Sequence, residues 1–306
     1  MNKNILSILD IQHEINDIIK RAVHFKREFT TNQLKPRLQG KMLALLFERP
    51  STRTRISFEV GMHHLGGKSI FLTQNEIKLG TRESAEDIAL VLSRYVDIII
   101  YRPIQKDHLH ALAQHATVPV INGLDQDEHP CQILADLMTI KEHKKTFQNQ
   151  HFIFIGDGDD NLTHSYLLGC PLVGMNITVI SPQKYWPQTQ YIKKAQQLAA
   201  QNNAKVNITE DLSVIATGDI ITTDTWISYW DEEQRSQRLH DLKPYTITQE
   251  LMTQAKKDAV FMHCMPIYYD EEVVKEVAHG PQSIVIDEAE NRMWVQMALM
   301  TYLLEK

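Results

Sequence analysis

Phe47-Glu48-Arg49-Pro50-Ser51-Thr52-Arg53-Thr54-Arg55-Ile56-Ser57-Phe58-Glu59 decides how the rest of the chain is read. The apolar run Met42 to Phe47 in front of it predicts a short buried strand. Pro50 marks a turn, and Ile56, Val60 and His63/His64 then recur at helical spacing. The pattern is strand, turn, helix N-terminus, with Ser51 or Thr52 near the cap. A helix start offers free backbone N–H groups and the positive end of the dipole, which suit an anion. Three hydroxyls (Ser51, Thr52, Thr54) and two guanidiniums (Arg53, Arg55) in the same turn suit a phosphate dianion. The same residues also fit a capped helix with solvated arginines.

Working outward, strands and helices alternate. Residues 5–29 carry apolar positions at helical spacing and predict a first helix or helix pair. Ser69 to Thr73 reads as a strand, followed by a polar loop, Gln74 to Ser84, that contains Lys78. A helix from Ser84 to Tyr95, a strand from Asp97 to Arg102, a helix from Asp107 to His115 and a strand from Val118 to Ile121 follow. This alternation predicts a parallel sheet with helices on both faces. Arg102 closes its strand, the place where open α/β sheets bind ligands. His129-Pro130-Cys131-Gln132-Ile133-Leu134-Ala135-Asp136 opens a helix, Pro130 fitting the first turn. The positive dipole at a helix start favours a neutral His129 imidazole, able to donate a hydrogen bond to a developing oxyanion. Capping or solvent exposure is the alternative role for such a histidine.

The run Lys141 to Gln150 reads as a seam, and a second α/β pattern begins at His151. Strand His151 to Ile155 leads into Gly156-Asp157-Gly158-Asp159-Asp160-Asn161, which lacks the three-glycine spacing of a dinucleotide site. A helix from Leu162 to Leu172, a strand from Asn176 to Ser181, a helix around Gln188 to Gln201 and a strand from Asp219 to Thr223 continue it. Asp224-Thr225-Trp226-Ile227-Ser228-Tyr229-Trp230 closes that last strand, where a carboxylate can pair with an ammonium or serve as a turn residue. Phe261-Met262-His263-Cys264-Met265-Pro266 and the terminal helix opening at Asp287-Glu288-Ala289-Glu290-Asn291-Arg292 complete the candidate sites.

Composition narrows the function classes. The 306 residues allow one large or two medium domains, and 43% hydrophobic with 23% charged residues is ordinary for a soluble globular enzyme. A formal net charge of −6 and the lack of a basic, aromatic-rich stripe argue against nucleic acid. No apolar run approaches membrane-spanning length, and the N-terminus carries no clean signal-peptide core. Three cysteines, Cys131, Cys170 and Cys264, fit a reducing, cytoplasmic setting rather than a disulfide framework.

Ser51-Thr52-Arg53-Thr54-Arg55 resembles the carbamoyl-phosphate signature of the transcarbamylases, the aspartate and ornithine carbamoyltransferases. His129-Pro130-Cys131-Gln132, the Asp224 string, His263-Cys264-Met265-Pro266 and Arg292 resemble that family's other motifs, in its order, over residues 51 to 294. The resemblance implies two parallel-sheet α/β domains, at 1–145 and 146–289, with the last helix (290–306) returning to the first and the active site in the cleft between them. It implies that Ser51, Thr52, Arg53, Thr54, Arg102 and Arg292 bind carbamoyl phosphate. His129, Arg102 and Thr54 would stabilise the oxyanion, and Gln132 would help hold the carbamoyl group. Asp224 and Cys264 would orient and deprotonate an amine, with Asp160, Asn161, Ser228, Tyr229 and Met265 around the acceptor. The loop with Lys78 resembles one that reaches into a neighbouring subunit's site, which implies a homotrimer or a multiple of trimers. No metal or organic cofactor is implied, and the partners are carbamoyl phosphate and a small amine. Ornithine, giving citrulline, is the leading acceptor. Asp160, Tyr229-Trp230 and Ile267 depart from the ornithine pattern and raise a diamine such as putrescine, or another amino acid, as the alternative. A non-catalytic ligand-binding homologue is a further reading, opposed by the complete motif set.

Overall fold

The structure is a computed structural model that describes residues 3–77, 79, 82–227 and 232–305. Lys78, Ser228, Tyr229 and Trp230, named above from the sequence, lie outside those residues. The chain forms two compact units, residues 1–138 with 290–306 and residues 139–289.

Unit 1 is built on a parallel sheet of β1 (Met42–Phe47), β2 (Lys68–Thr73), β3 (Ile98–Arg102) and β4 (Val120–Asn122), in the order β2-β1-β3-β4. The central strands β1 and β3 are buried along almost their whole length. That is why their sequences are unbroken apolar runs rather than alternating ones. Helices α1 (Ile15–Thr30), α2 (Thr52–His64), α3 (Gln74–Ile77), α4 (Ala85–Leu92) and α5 (Lys106–His115) connect or flank the strands. Helix α6 (Pro130–Lys144) carries the chain into unit 2, and its residues 131–140 are all buried, polar ones included. Such polar groups need fixed partners.

Unit 2 has β5 (His151–Ile155), β6 (Asn176–Ile180), β7 (Val206–Thr209), β8 (Ile220–Thr223) and β9 (Val260–His263), all parallel, in the order β7-β6-β5-β8-β9. Helices α7 (Asn161–Leu172), α8 (Thr189–Asn202), α9 (Arg235–Leu242), α10 (Gln249–Gln254) and α11 (Lys275–Ala278) accompany it. Helix α12 (Val285–Leu304) starts in unit 2 and ends in unit 1. Two parallel sheets flanked by helices are the expected fold class. Strand β7 has no counterpart in the sequence reading: it is a half-exposed edge strand without the apolar run that marks the others.

The N-terminus differs from the expected helix or helix pair. Ile5 pairs with Ile121 beside β4, residues Ile8–Ile11 form a single 3-10 turn, and only then does α1 begin. A capping box stops the helix from extending backwards: the Ser7 hydroxyl accepts from Leu9 N, and the Asp10 carboxylate accepts from Leu6 N and Ser7 N. The buried Glu128 carboxylate, next to His129, accepts from Ile8 N at 3.2 Å and clips this segment to the loop before α6.

Burial, aided by the neighbouring Asp125 and Asp10 carboxylates, pushes Glu128 up from 4.5 to about 8. The folded chain therefore holds a proton there that the unfolded chain releases at a lower pH. This contribution to stability is complete below the unfolded value and is lost as pH rises through the folded one. Glu128→Gln keeps an acceptor for Ile8 N and removes the titration. Urea unfolding should show the variant more stable than the parent at about pH 9, by on the order of a few kcal/mol, with the difference shrinking towards about pH 5.

Candidate active site

In each sheet the strand order reverses once, between β1 and β3 in unit 1 and between β5 and β8 in unit 2. Ligands of open α/β sheets bind at the carboxyl ends of the strands at such a reversal. The residues that follow these four strands are Glu48 to Thr54, the end residue Arg102, Gly156 to Asn161, and Asp224.

In unit 1, Ser51 occupies the N-cap position of α2 with extended backbone, and its hydroxyl makes no cap bond to its own helix. Thr54, one turn in, is buried, and its hydroxyl accepts from Arg292 at 3.0 Å. The other arm of Arg292 donates to the Gln132 amide oxygen, and the Gln132 amide nitrogen donates to Asp136 at 2.8 Å. Three segments far apart in sequence thus meet at one guanidinium. His129 immediately precedes α6 and is buried. Burial first, then the guanidiniums of Arg292, Arg102 and Arg53, hold its imidazole well below the usual histidine range. The ring is neutral at physiological pH. Burial and the guanidiniums act in the same direction as the helix dipole invoked from sequence.

Arg55 faces elsewhere. It lies over the Phe71 ring, 3.8 Å from the centroid, and pairs with Glu59 at 3.2 Å. Both line a recess of about 630 Å³ at the start of α2, together with Ser51, Thr52 and Glu48. Glu48 in turn accepts from Ile104 N at 2.6 Å, which fixes the turn after β3. Burial pushes the Cys131 thiol up to about 12, so it packs and does not react.

In unit 2 the Cys264 thiol donates to the Asp224 carboxylate at 3.1 Å. Burial raises the Asp224 carboxyl above the usual range, against the opposing pull of His263, Cys264 and Thr225 N. His263 Nδ1 accepts from Met265 N at 2.9 Å, so its proton is on Nε2, 3.2 Å from Glu272. The buried His263–Glu272 pair is a part of this site that the sequence reading passed over. His263 stood in the quoted motif, but nothing nine residues on marked Glu272 as its partner. Asp224, His263 and Cys264 offer ligand atoms within 4.8 Å of one another, a donor set that suits zinc. His263 would have to give up a bond to Met265 N or Glu272 to supply one.

Asp160 caps α7, accepting from Leu162 N at 2.8 Å, and Asn161 beside it is buried with its amide oxygen unpartnered. The buried Arg238, on α9, donates to Asp157 of the same loop and lies over the Tyr185 ring. Ile267 packs against the unit 2 core. The expected site residues Lys78, Ser228 and Tyr229 fall outside the described residues.

One half-site gathers hydroxyls, guanidiniums and a neutral imidazole at a helix start, and the other a carboxyl–thiol pair. Such groups, one set in each unit, suit an α/β transferase that works on an activated, anionic donor. Residues 3–142 match the model of the carbamoyl-P binding domain of aspartate/ornithine carbamoyltransferase, and residues 148–303 that of its Asp/Orn binding domain. The chain belongs to the aspartate/ornithine carbamoyltransferase family and is a carbamoyltransferase. It is 44% identical to an ornithine carbamoyltransferase of Methanobrevibacter smithii over 99% of both chains. It is 43% identical to one of Methanoculleus marisnigri, over 99% of this chain and 97% of that one. Among solved structures, the ornithine carbamoyltransferase of Pyrococcus furiosus matches with a TM-score of 0.93 at 38% identity, covering 98% of this chain and 97% of that one. The anabolic enzyme of Campylobacter jejuni gives 0.92 at 33% identity over 98% of each chain.

The Arg238–Asp157 pair is buried on both sides, so removing one partner takes a counter-charge from the other. Arg238→Met should cost about 3–5 kcal/mol in urea unfolding, and adding Asp157→Asn should recover part of that loss.

Proposed function

We propose that the chain transfers the carbamoyl group of carbamoyl phosphate to the side-chain amine of ornithine, giving citrulline and inorganic phosphate. The observation that carries the donor side is the single guanidinium of Arg292 bonded to both Thr54 and Gln132 beside a neutral His129. In this reading Ser51, Thr52, Arg53 and Thr54, at the start of α2, take the phosphate with Arg292. His129, Arg102 and Thr54 stabilise charge on the carbonyl oxygen as the amine attacks. The N–C bond forms, the C–O bond to phosphate breaks, and phosphate leaves with the electron pair. Holding both reactants in place supplies much of the acceleration.

Unit 2 supplies the amine side. An alkylammonium has a pKa of about 10.4, so only about one molecule in 10³ is neutral at pH 7. In this reading the Asp224 carboxyl takes the proton, a role its raised pKa and its bond to Cys264 support. Asn161 offers an unpartnered amide oxygen for an ammonium. Two of the departures that raised a different acceptor have structural occupations: Asp160 caps a helix and the half-buried Ile267 packs against the unit 2 core. With the names of the relatives at 43–44% identity, this favours ornithine over a diamine.

Unit 1 exposes Ile56 and Val60 on α2 and Ile70 on β2. These exposed apolar side chains support association between subunits, which we read as a homotrimer or a multiple of trimers with shared sites. The described helices include none long and apolar enough to cross a membrane. The three free thiols favour a reducing, cytoplasmic setting.

Ureido-product formation from carbamoyl phosphate, compared across ornithine, putrescine, lysine, acetylornithine and aspartate, tests the acceptor. Ornithine should be strongly preferred, and faster turnover of any other amine overturns that assignment. Asp224→Asn should lower kcat with ornithine by about 10²-fold or more and leave carbamoyl-phosphate binding intact. Light scattering after size exclusion should give three times the protomer mass or a multiple of that value.

A further inference from the structure

We propose that Asn122 is the positioning residue of His129, and that it works by strapping the N-terminal segment to the loop that carries the imidazole. Asn122 ends β4 and is fully buried. Each of its polar groups is bonded. Its backbone N–H donates to the Ile5 carbonyl at 2.8 Å, and its side-chain nitrogen donates to the Leu6 carbonyl at 3.0 Å. Its side-chain oxygen accepts from Leu124 N at 2.9 Å, and its carbonyl accepts from the Cys131 thiol at 3.6 Å. The first two bonds hold the segment ahead of the 3-10 turn. The last two hold the loop between β4 and α6.

Both side-chain partners of Asn122 are backbone groups of fixed sense. Leu6 offers a carbonyl, which only accepts, and Leu124 an N–H, which only donates. Turned over, the amide would meet both with the wrong end, in a buried setting where an unmade bond costs most. Leu124 sits at φ +136°, a backbone region that a leucine rarely adopts and that persists only where its surroundings impose it. The bond from Leu124 N to Asn122 is part of that constraint. Beyond it the loop is closed by its own bonds. Asp125 N donates to the Glu128 carbonyl at 3.1 Å, and Asp125 Oδ1 accepts from Asp127 N at 2.9 Å and Glu128 N at 2.8 Å. Glu128 accepts from Ile8 N, so the N-terminal segment meets the loop again one residue before His129. Two residues after His129, Cys131 is bonded back to Asn122. The imidazole is thus carried between two fixed points. Asn122 touches no reacting group in this scheme. It acts through the loop on the residue assigned to the carbonyl oxygen, so the inference rests on the reading of His129 given above.

A double-mutant cycle tests this. Asn122→Ala and His129→Gln are made singly and together, and kcat for ureido-product formation is measured at saturating carbamoyl phosphate and ornithine. Asn122→Ala should lower kcat by about ten- to a hundredfold, the cost of a displaced imidazole. On the His129→Gln background the same change should alter kcat by less than about twofold, because the group it positions is gone. Titration calorimetry with carbamoyl phosphate should give Asn122→Ala an affinity within about threefold of the parent's, since the residues assigned to phosphate are not bonded to Asn122.

An Asn122→Ala protein that turns over like the parent, or one whose loss of kcat is as large without His129 as with it, overturns the proposal. A loss of carbamoyl-phosphate affinity in step with kcat overturns it as well, being the mark of a generally loosened site. Melting temperatures run alongside, because a purely structural role would lower them and leave the kcat of the folded protein unchanged. If Asn122→Ala does not fold, Asn122→Ser, whose hydroxyl is too short to bridge Leu6 and Leu124, takes its place in the same cycle. A His129→Gln protein with the parent's kcat would instead strike the reading of His129 itself.

Discussion

A guanidinium buried beside other guanidiniums needs fixed acceptors, and the donor half-site depends on how Arg292 gets them. Removing a charge from water costs several kcal/mol unless bonds replace the lost hydration. Arg292 has an amide oxygen on α6 and a hydroxyl on α2, so the helix that closes the chain is keyed to two helices of the first unit. Burial first, and then the positive potential of this arrangement, hold the His129 imidazole well below the usual histidine range. Such a cluster suits an anionic group, in keeping with the match of residues 3–142 to a carbamoyl-P binding domain.

The two units use one architectural rule for opposite chemistry. In each sheet the strand order reverses once, and the loops at that point or one strand away carry the polar groups. At β1 and β3 these are cations and hydroxyls, suited to an anionic donor. Beyond β8 and β9 they are a carboxyl, a thiol and a buried His–Glu pair, suited to a cationic amine that must lose a proton. The helices above the loops are locked from beneath by their own caps and ion pairs, as with Asp160 on α7 and Arg238 on Asp157.

Strands buried on both faces were legible because burial leaves an unbroken apolar run, as in Leu43 to Phe47 and Ile98 to Tyr101. The edge strand β7 was not, because half of it meets water and its residues mix accordingly. The N-terminal segment misled in the other direction: its isoleucines recur at helical spacing, but Ser7 and Asp10 cap the turn and Ile5 joins β4. For the site, residue type and position were readable at Thr54, His129, Gln132, Asp224, Cys264 and Arg292. What could not be read was pairing across long separations. Thr54 and Arg292 are 238 positions apart, and no local pattern announces their bond. Glu272 was unmarked, and nothing tied Arg238 to Asp157, for the same reason.

The division of the chain bears on how the protein is made. Unit 1 consists of residues 1–138 together with 290–306, so all of unit 2 is interposed in its covalent order. A ribosome delivers the chain from the N-terminus, and domains tend to fold as they emerge. Here the first sheet leaves the ribosome without the helix that carries Arg292 and must wait for some 150 residues of unit 2, ~10–30 s at ordinary elongation rates. During that interval Thr54 and Gln132 lack their guanidinium. A nascent or prematurely terminated chain therefore lacks the bonds that tie α12 to α2 and α6.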